Sequence, residues 1–290
     1  MKLATFTVNG AARLGRVEGD SILDLSSLRH LPSTMLEVLR GGDELLAAIK
    51  AVAAASVEVR ALADVVLDAP IANPQKFMAI GMNYKAHAEE ARQAGVAVPT
   101  SQLWFNKQVS CITGPYADVH RPSVSEALDY EAELGVVIGK RCWRVTEEEA
   151  PAYIAGYLVC NDVSVRDWQM RSPTFTLGKS FPTHGPIGPW ITTRDEVGDP
   201  AALELKMFVN GELRQRARVA EMIYGIYEQI AYLSTAVRLE PGDVLATGTP
   251  SGVGVAHKPP RFLQVGDVMR VEIDGLGHLE NRVVAEPPAP

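Results

Sequence analysis

Glu131 and Glu133 stand two residues apart at the head of the apolar run Leu134 to Ile138. In an extended strand such residues point to one face, so their carboxylates converge. Two like charges held that close repel unless a cation neutralises them or one keeps its proton. A third acid, Asp162, follows the apolar segment Tyr157 to Cys160, which reads as a buried strand ending in polar residues. Three carboxylates at strand ends suit a hard divalent cation, Mg²⁺ or Mn²⁺, with water or substrate oxygens completing its shell. An isolated Glu-x-Glu is more often the solvated face of an edge strand. Here the neighbouring motifs carry further chemistry.

Gly81-Met82-Asn83-Tyr84 follows an expected strand, Phe77 to Ile80, and opens a helix expected over Ala86 to Ala94. On that helix His87 and Glu90 are three residues apart and share a face, where the carboxylate can orient the imidazole and raise its basicity. Such a pair can take a proton from water, although two solvated helix residues are the commoner outcome for the spacing alone. The stretch Asn161 to Gln169 sets an acid, a guanidinium (Arg166) and an amide (Gln169) just beyond a strand. Arg166 suits either a bidentate contact with a substrate carboxylate or a structural ion pair. Lys179 lies in Leu177 to Trp190, a segment too rich in Gly and Pro for a regular element, and its cation suits an enolate or carboxylate oxygen. Thr247 to Gly254 forms a second tight loop able to present hydroxyls and N–H groups to an anion. It lacks both the Gly-Lys-Ser/Thr of a P-loop and the Gly-x-Ser-x-Gly of a nucleophile elbow.

The elements that must hold these groups are mostly strands. Short β-like segments bounded by Gly and Pro run through Phe77 to Ile80, Leu134 to Ile138, Leu203 to Val209, Val244 to Thr247 and Val268 to Ile273. Further helices are expected around Glu147 to Ala155 and Glu221 to Leu233. The first seventy or so residues read as a small α+β unit: a hairpin turning at Asn9-Gly10, a helix from Met35 to Arg40 and an Ala-rich helix from Glu44 to Ala55. Ala69 to Pro74 looks like a linker and Ala285 to Pro290 like a frayed tail. The division is therefore 1–70 for the small unit and 71–290 for a β-rich catalytic body, an α+β class overall.

Composition narrows the function. The chain has 290 residues, 47% of them hydrophobic, and a formal charge of −7, which leaves no basic footprint for nucleic acid. No apolar run is long enough to span a bilayer, and the N-terminus lacks the apolar core of a signal peptide. Cys111, Cys142 and Cys160 fit neither a disulfide framework nor a zinc pair, and read as reduced structural thiols of a cytoplasmic protein.

Taken together the motifs resemble the fumarylacetoacetate hydrolase family, in order from about Phe77 to Val283. The pattern comprises Gly-x-Asn-Tyr with a downstream His, Glu-x-Glu, Asn-Asp, Gly-Lys-Ser-Phe with Gly-Pro-Ile-Gly-Pro-Trp, and Thr-Gly-Thr-Pro-x-Gly-Val-Gly. The resemblance implies a mixed β-roll catalytic domain preceded by a small N-terminal domain, assembled as a homodimer. It implies that Glu131, Glu133 and Asp162 hold Mg²⁺ or Mn²⁺, for which Ca²⁺ can stand in within crystals. His87 and Glu90 match a dyad on a mobile lid, and Lys179 matches an active-site lysine. Tyr84, Arg166, Gln169 and Thr249 match positions that contact substrate. Where many members carry an acid after Lys-Ser-Phe, this chain has Pro182.

The function implied is metal-dependent hydrolysis of a C–C bond in a small keto acid, acylpyruvate-like or a 2,4-diketo acid, in catabolism of aromatic compounds or sugar acids. The alternative is a decarboxylase or isomerase of oxaloacetate or of hydroxymuconate-type intermediates such as 2-hydroxyhepta-2,4-diene-1,7-dioate. A catalytically silent metal-binding protein is the remaining reading.

Overall fold

The computed structural model describes residues 1–93 and 95–288. The strand Ala132–Ile138 is buried along its whole length, and its side chains alternate between two cores. Leu134 and Val136 face one cluster with Leu205, Met207, Met269 and Val271, while Val137 faces another with Leu3, Leu14, Val38 and Leu39. Burial on both faces is why the segment reads as continuous apolar sequence rather than as an alternating strand. Gly135 makes room for its neighbour strand, since a Cβ would lie 2.4 Å from Leu158 Cδ1 and displace that side chain.

This strand sits inside a 12-stranded mixed sheet. Its central order runs Lys2–Val8, Gly185–Thr193, Ile154–Asn161, Ala132–Ile138, Val244–Ala246, Phe77–Gly81 and Leu103–Lys107. A 5-stranded sheet, which includes Glu204–Val209, Glu212–Arg218 and Val268–Ile273, covers the first of the two faces. The strands of the N-terminal hairpin continue the large sheet through pairs Lys2↔Thr192 and Leu3↔Ile191, and the helices Met35–Arg40 and Gly42–Lys50 pack over its second face. The β-rich α+β class expected from the sequence is thus the observed one.

Several local expectations need correction. The Gly/Pro-rich segment ending at Trp190 is not wholly irregular, because Gly185–Thr193 is a strand in the middle of the large sheet. It tolerates its prolines by a bulge: the ladder passes from Val159↔Gly188 directly to Tyr157↔Thr192, so Pro189 stands outside the pairing and its missing N–H costs no bond. The helix expected over Glu147 to Ala155 is only a 3₁₀ turn, Ala150–Tyr153, with Pro151 at its start, and the chain is already in a strand from Ile154. Ala69 and Ile71, in the expected linker, are buried core residues. The helix after Tyr84 runs Lys85–Gln93, and Ala94, where it was expected to end, lies outside the described residues. The tail is tied through Glu286, whose carboxylate accepts from Ser123 N at 2.9 Å; Ala289 and Pro290 lie outside the described residues. All three cysteines are free and buried. No helix among the described residues is long and apolar enough to cross a membrane.

Candidate active site

The site forms where three strand ends meet. Ala132 pairs with Asn161 in the ladder between the two central strands, so the residues just beyond the pair, Glu131 and Asp162, face one another. Asp162 N donates to Glu131 O at 2.9 Å and Asn161 Oδ1 accepts from Glu131 N, which fixes the crossing point. Carboxylate oxygens of Glu131, Glu133 and Asp162 all lie within 4.8 Å of one another, and all three residues are buried. The sequence-derived triad is therefore brought together in space.

Three cations serve these acids and Asp129. Lys179 Nζ donates to Glu131 Oε2 at 2.6 Å and to Asp162 Oδ2 at 2.7 Å. Arg166 reaches Glu131 Oε1 at 2.6 Å through Nη1 and Asp129 Oδ2 at 2.8 Å through Nε. Lys107, wholly buried, donates to Asp162 Oδ1 at 2.7 Å and also to the backbone carbonyl of Lys179. Four carboxylates against three cations leave one charge over, and it falls on Glu133. Its only hydrogen bond among the described residues comes from Gly248 N at 2.7 Å, and no cation forms a salt bridge with it. Burial, then the charges of Asp162 and Glu131, push the Glu133 carboxyl well above the usual range. Glu131 behaves oppositely: burial alone would raise it, but Lys179, Arg166 and His87 outweigh burial and hold it low. A buried, all-oxygen donor set with one uncompensated carboxyl fits a divalent cation, which would supply the missing positive charge.

The helix Lys85–Gln93 lies across this floor. Asn83, fully buried, anchors its approach by donating to Thr247 O at 2.8 Å and accepting from Tyr224 N at 2.9 Å, so the Asn of the Gly-x-Asn-Tyr motif is a brace. His87 Nδ1 lies 3.0 Å from Glu90 Oε2. A carboxylate only accepts, so the ring proton sits on Nδ1 and Nε2 carries the free lone pair. Glu90 also accepts from Gly252 N at 3.0 Å, which couples the helix to the Thr247–Gly254 loop.

The cavity between helix and floor measures about 280 Å³ and is lined by His87, Glu90, Glu131, Glu133, Arg166, Gln169, Lys179 and Thr249 together with apolar side chains. Arg166 Nη1 donates to Gln169 Oε1 at 3.0 Å, leaving the amide hydrogens of Gln169 free, and the buried Arg166 Nη2 has no partner among the described residues. Thr249 reaches the cavity wall, but its hydroxyl donates to Ala132 O and accepts from Gln215 Nε2, both at 2.9 Å. Tyr84 is not brought to the cavity: it precedes the helix, has no exposed surface and packs in the core with Met222 and Ile226. With Pro182 three residues on, Lys179 is nonetheless aimed at the triad.

His184 is fully buried, and its Nε2–H donates to His120 O at 2.8 Å. Burial lowers its pKa from 6.5 to about 3. The folded state thus binds this proton less readily than the unfolded chain does. His184 contributes its full stability above pH about 6.5, and loses it as pH falls toward 3, by up to about 1.4 kcal/mol per pH unit. Urea midpoints of wild type and His184→Gln, measured between pH 7 and 5, are expected to converge on acidification. A constant difference would show that the imidazole stays neutral for another reason.

Three residues of the site escape sequence reading. Lys107 sits two residues after Phe105 on the inward face of its strand, and a buried lysine implies an acid, but which acid is 55 residues away. Asp129 accepts from Gly254 N at 2.7 Å and Val255 N at 2.9 Å, clamping the loop over the site. Gln215, from the smaller sheet, donates to Thr249 and Pro250 and accepts from Ala132 N, and nothing in its local sequence signals this.

A carboxylate triad on the ends of a mixed sheet, crossed by a His/Glu helix and faced by a lysine, is an arrangement that could hold a divalent cation beside a base. Residues 76–284 match the fumarylacetoacetate (FAA) hydrolase C-terminal family, and the chain belongs to that family. It is 41% identical over 269 residues to a mitochondrial oxaloacetate tautomerase of Bos taurus, covering 92% of this chain and 85% of that one. Among solved structures it is similar to a fumarylacetoacetate hydrolase from the psychrophile Exiguobacterium antarcticum, with 36% identity, a TM-score of 0.87 and coverage of 99% and 100%. The maleylpyruvate hydrolase of Sphingobium sp. SYK-6, in complex with manganese(II) and pyruvate, matches with 34% identity, a TM-score of 0.84 and the same coverage. In sequence the tautomerase is thus the more similar, at 41% against 36% and 34% for the two hydrolases.

Proposed function

We propose that the protein is a divalent-metal-dependent hydrolase that cleaves the C–C bond of acylpyruvate-like 2,4-diketo acids. The observation that carries this reading is the His87–Glu90 pair in the wall of the cavity that the carboxylate triad also lines, with Nε2 of His87 free. Glu131, Glu133 and Asp162 would hold the ion, Mg²⁺ or Mn²⁺. Such an ion supplies a Lewis acid for the carboxylate and 2-oxo oxygens of the substrate and for the enolate charge that develops there.

The chain's own groups supply the rest. Arg166 Nη2 and the amide hydrogens of Gln169 are the donors left for the substrate carboxylate. His87 Nε2 takes a proton from water as the water oxygen bonds to the distal carbonyl carbon. Glu90 holds the Nδ1 proton and stabilises the imidazolium that results. When the bond between C3 and the hydrated C4 breaks, its electron pair passes to the enolate of the pyruvyl half. The ammonium of Lys179 stabilises that enolate, and His87 returns the proton to C3. The products are pyruvate and a second carboxylic acid.

The same base could instead shuttle a proton at C3 of oxaloacetate, the reaction named for the bovine relative. A panel of acetylpyruvate, fumarylpyruvate and oxaloacetate, assayed with Mg²⁺ and with EDTA and resolved by product mass, separates the two. Pyruvate plus a second acid from the diketo acids, abolished by EDTA, is the expected result. Enol–keto interconversion of oxaloacetate at unchanged mass, with no diketo acid cleaved, would replace hydrolase by tautomerase. Pyruvate and CO₂ from oxaloacetate alone would make the protein a decarboxylase.

A further inference from the structure

The cavity is divided by charge. Arg166 and Lys179 both contact Glu131, so both cations of the cavity lie against the triad. The rest of the lining is largely apolar and includes Val96, Leu103 and Met170 on three separate segments, with Val253 and Val255 from the loop that Asp129 clamps. The remaining polar side chains of the lining are His87, Glu90, Gln169 and Thr249, none of them a fixed cation. A substrate whose keto-carboxylate end engages the floor therefore extends its other end into apolar surface. A second carboxylate placed there would be stripped of water, with no cation to receive it and Glu90 to repel it.

Resting on the hydrolase reading above, we infer that the substrate is an acylpyruvate whose acyl group is apolar, alkyl or aryl, rather than a diketo acid ending in a second carboxylate. Each methylene added to the acyl chain gains contact with this wall until the cavity of about 280 Å³ is filled. Val255, at the rim and 40% exposed, is where the preference can be inverted without burying a charge.

The test compares kcat/KM for acetyl-, butanoyl-, hexanoyl- and benzoylpyruvate with that for fumarylpyruvate. Efficiency is expected to rise roughly threefold per methylene, and fumarylpyruvate is expected to be at least about a hundredfold poorer than the uncharged acylpyruvate of similar length. Val255→Arg is expected to improve fumarylpyruvate and weaken hexanoylpyruvate, with the fold checked by its melting curve. If the acylpyruvates are cleaved but fumarylpyruvate is the best of them, the apolar assignment is overturned and the hydrolase reading stands. If none is cleaved while longer apolar acylpyruvates bind more tightly as inhibitors, the pocket is confirmed and the hydrolase reading fails. A flat response to chain length overturns the pocket assignment.

Discussion

Glu133→Gln is expected to abolish the response to divalent cations while leaving the fold as stable as before, whereas Asp162→Asn is expected to lose both. The difference follows from where the cations lie. Glu133 is the acid without a cationic partner, and its raised carboxyl already favours the protonated form in the metal-free protein, to which Gln is nearly isosteric. Asp162 receives both Lys107 and Lys179, and removing its charge leaves two buried ammonium groups with one anion fewer. Breaking a buried pair in this way costs about 3–5 kcal/mol. Thermal melts with and without millimolar MnCl₂, alongside steady-state rates, read both effects. Turnover should fall at least about a hundredfold in either variant, more than loss of a ligand's supporting partner costs. A Glu133→Gln protein that is still stabilised by Mn²⁺ would remove Glu133 from the ligand set.

His87→Ala is expected to lower kcat by about 10²–10⁴ with little change in metal affinity. The imidazole makes its hydrogen bond to Glu90 and none to the triad, so the ion's ligands are undisturbed by its loss. Glu90→Gln should fall between wild type and His87→Ala, because Gln still accepts from Gly252 N but stabilises the imidazolium less. Metal titration by calorimetry, run beside single-turnover rates, distinguishes the roles. Equal losses in affinity and rate would make His87 structural.

What could be read before folding was whatever depends on local periodicity. The two-residue spacing placed Glu131 and Glu133 on one side of a strand, and the three-residue spacing placed His87 beside Glu90; both relations hold in the structure. The general class was legible for the same reason, since strand segments such as Val268–Ile273 and Phe77–Gly81 were marked by their own composition. The groups that set the charge of the site were not. Lys107 meets Asp162, Asp129 meets Gly254 and Gln215 meets Thr249 only because distant strands converge. Tyr84 was legible as part of a motif, but that it is wholly buried just before the helix depends on packing against Met222 and Ile226 from distant sequence. The strand Gly185–Thr193 was hidden by its prolines, whose accommodation depends on a bulge that only the neighbouring strand defines.

The pairing of Lys2–Val8 with Gly185–Thr193 reaches further than the hairpin itself. The paired strand begins immediately after His184 and belongs to the same stretch of chain as Lys179. Without the first seventy residues its outer backbone groups near Ile191 and Thr192 would stand unpaired, and the apolar face now capped by Leu14, Val38 and Leu39 would be wet. Bare strand edges and wet apolar faces recruit other chains. The N-terminal segment thus seals one edge and one apolar face of the sheet whose strand Gly185–Thr193 follows the Lys179 loop.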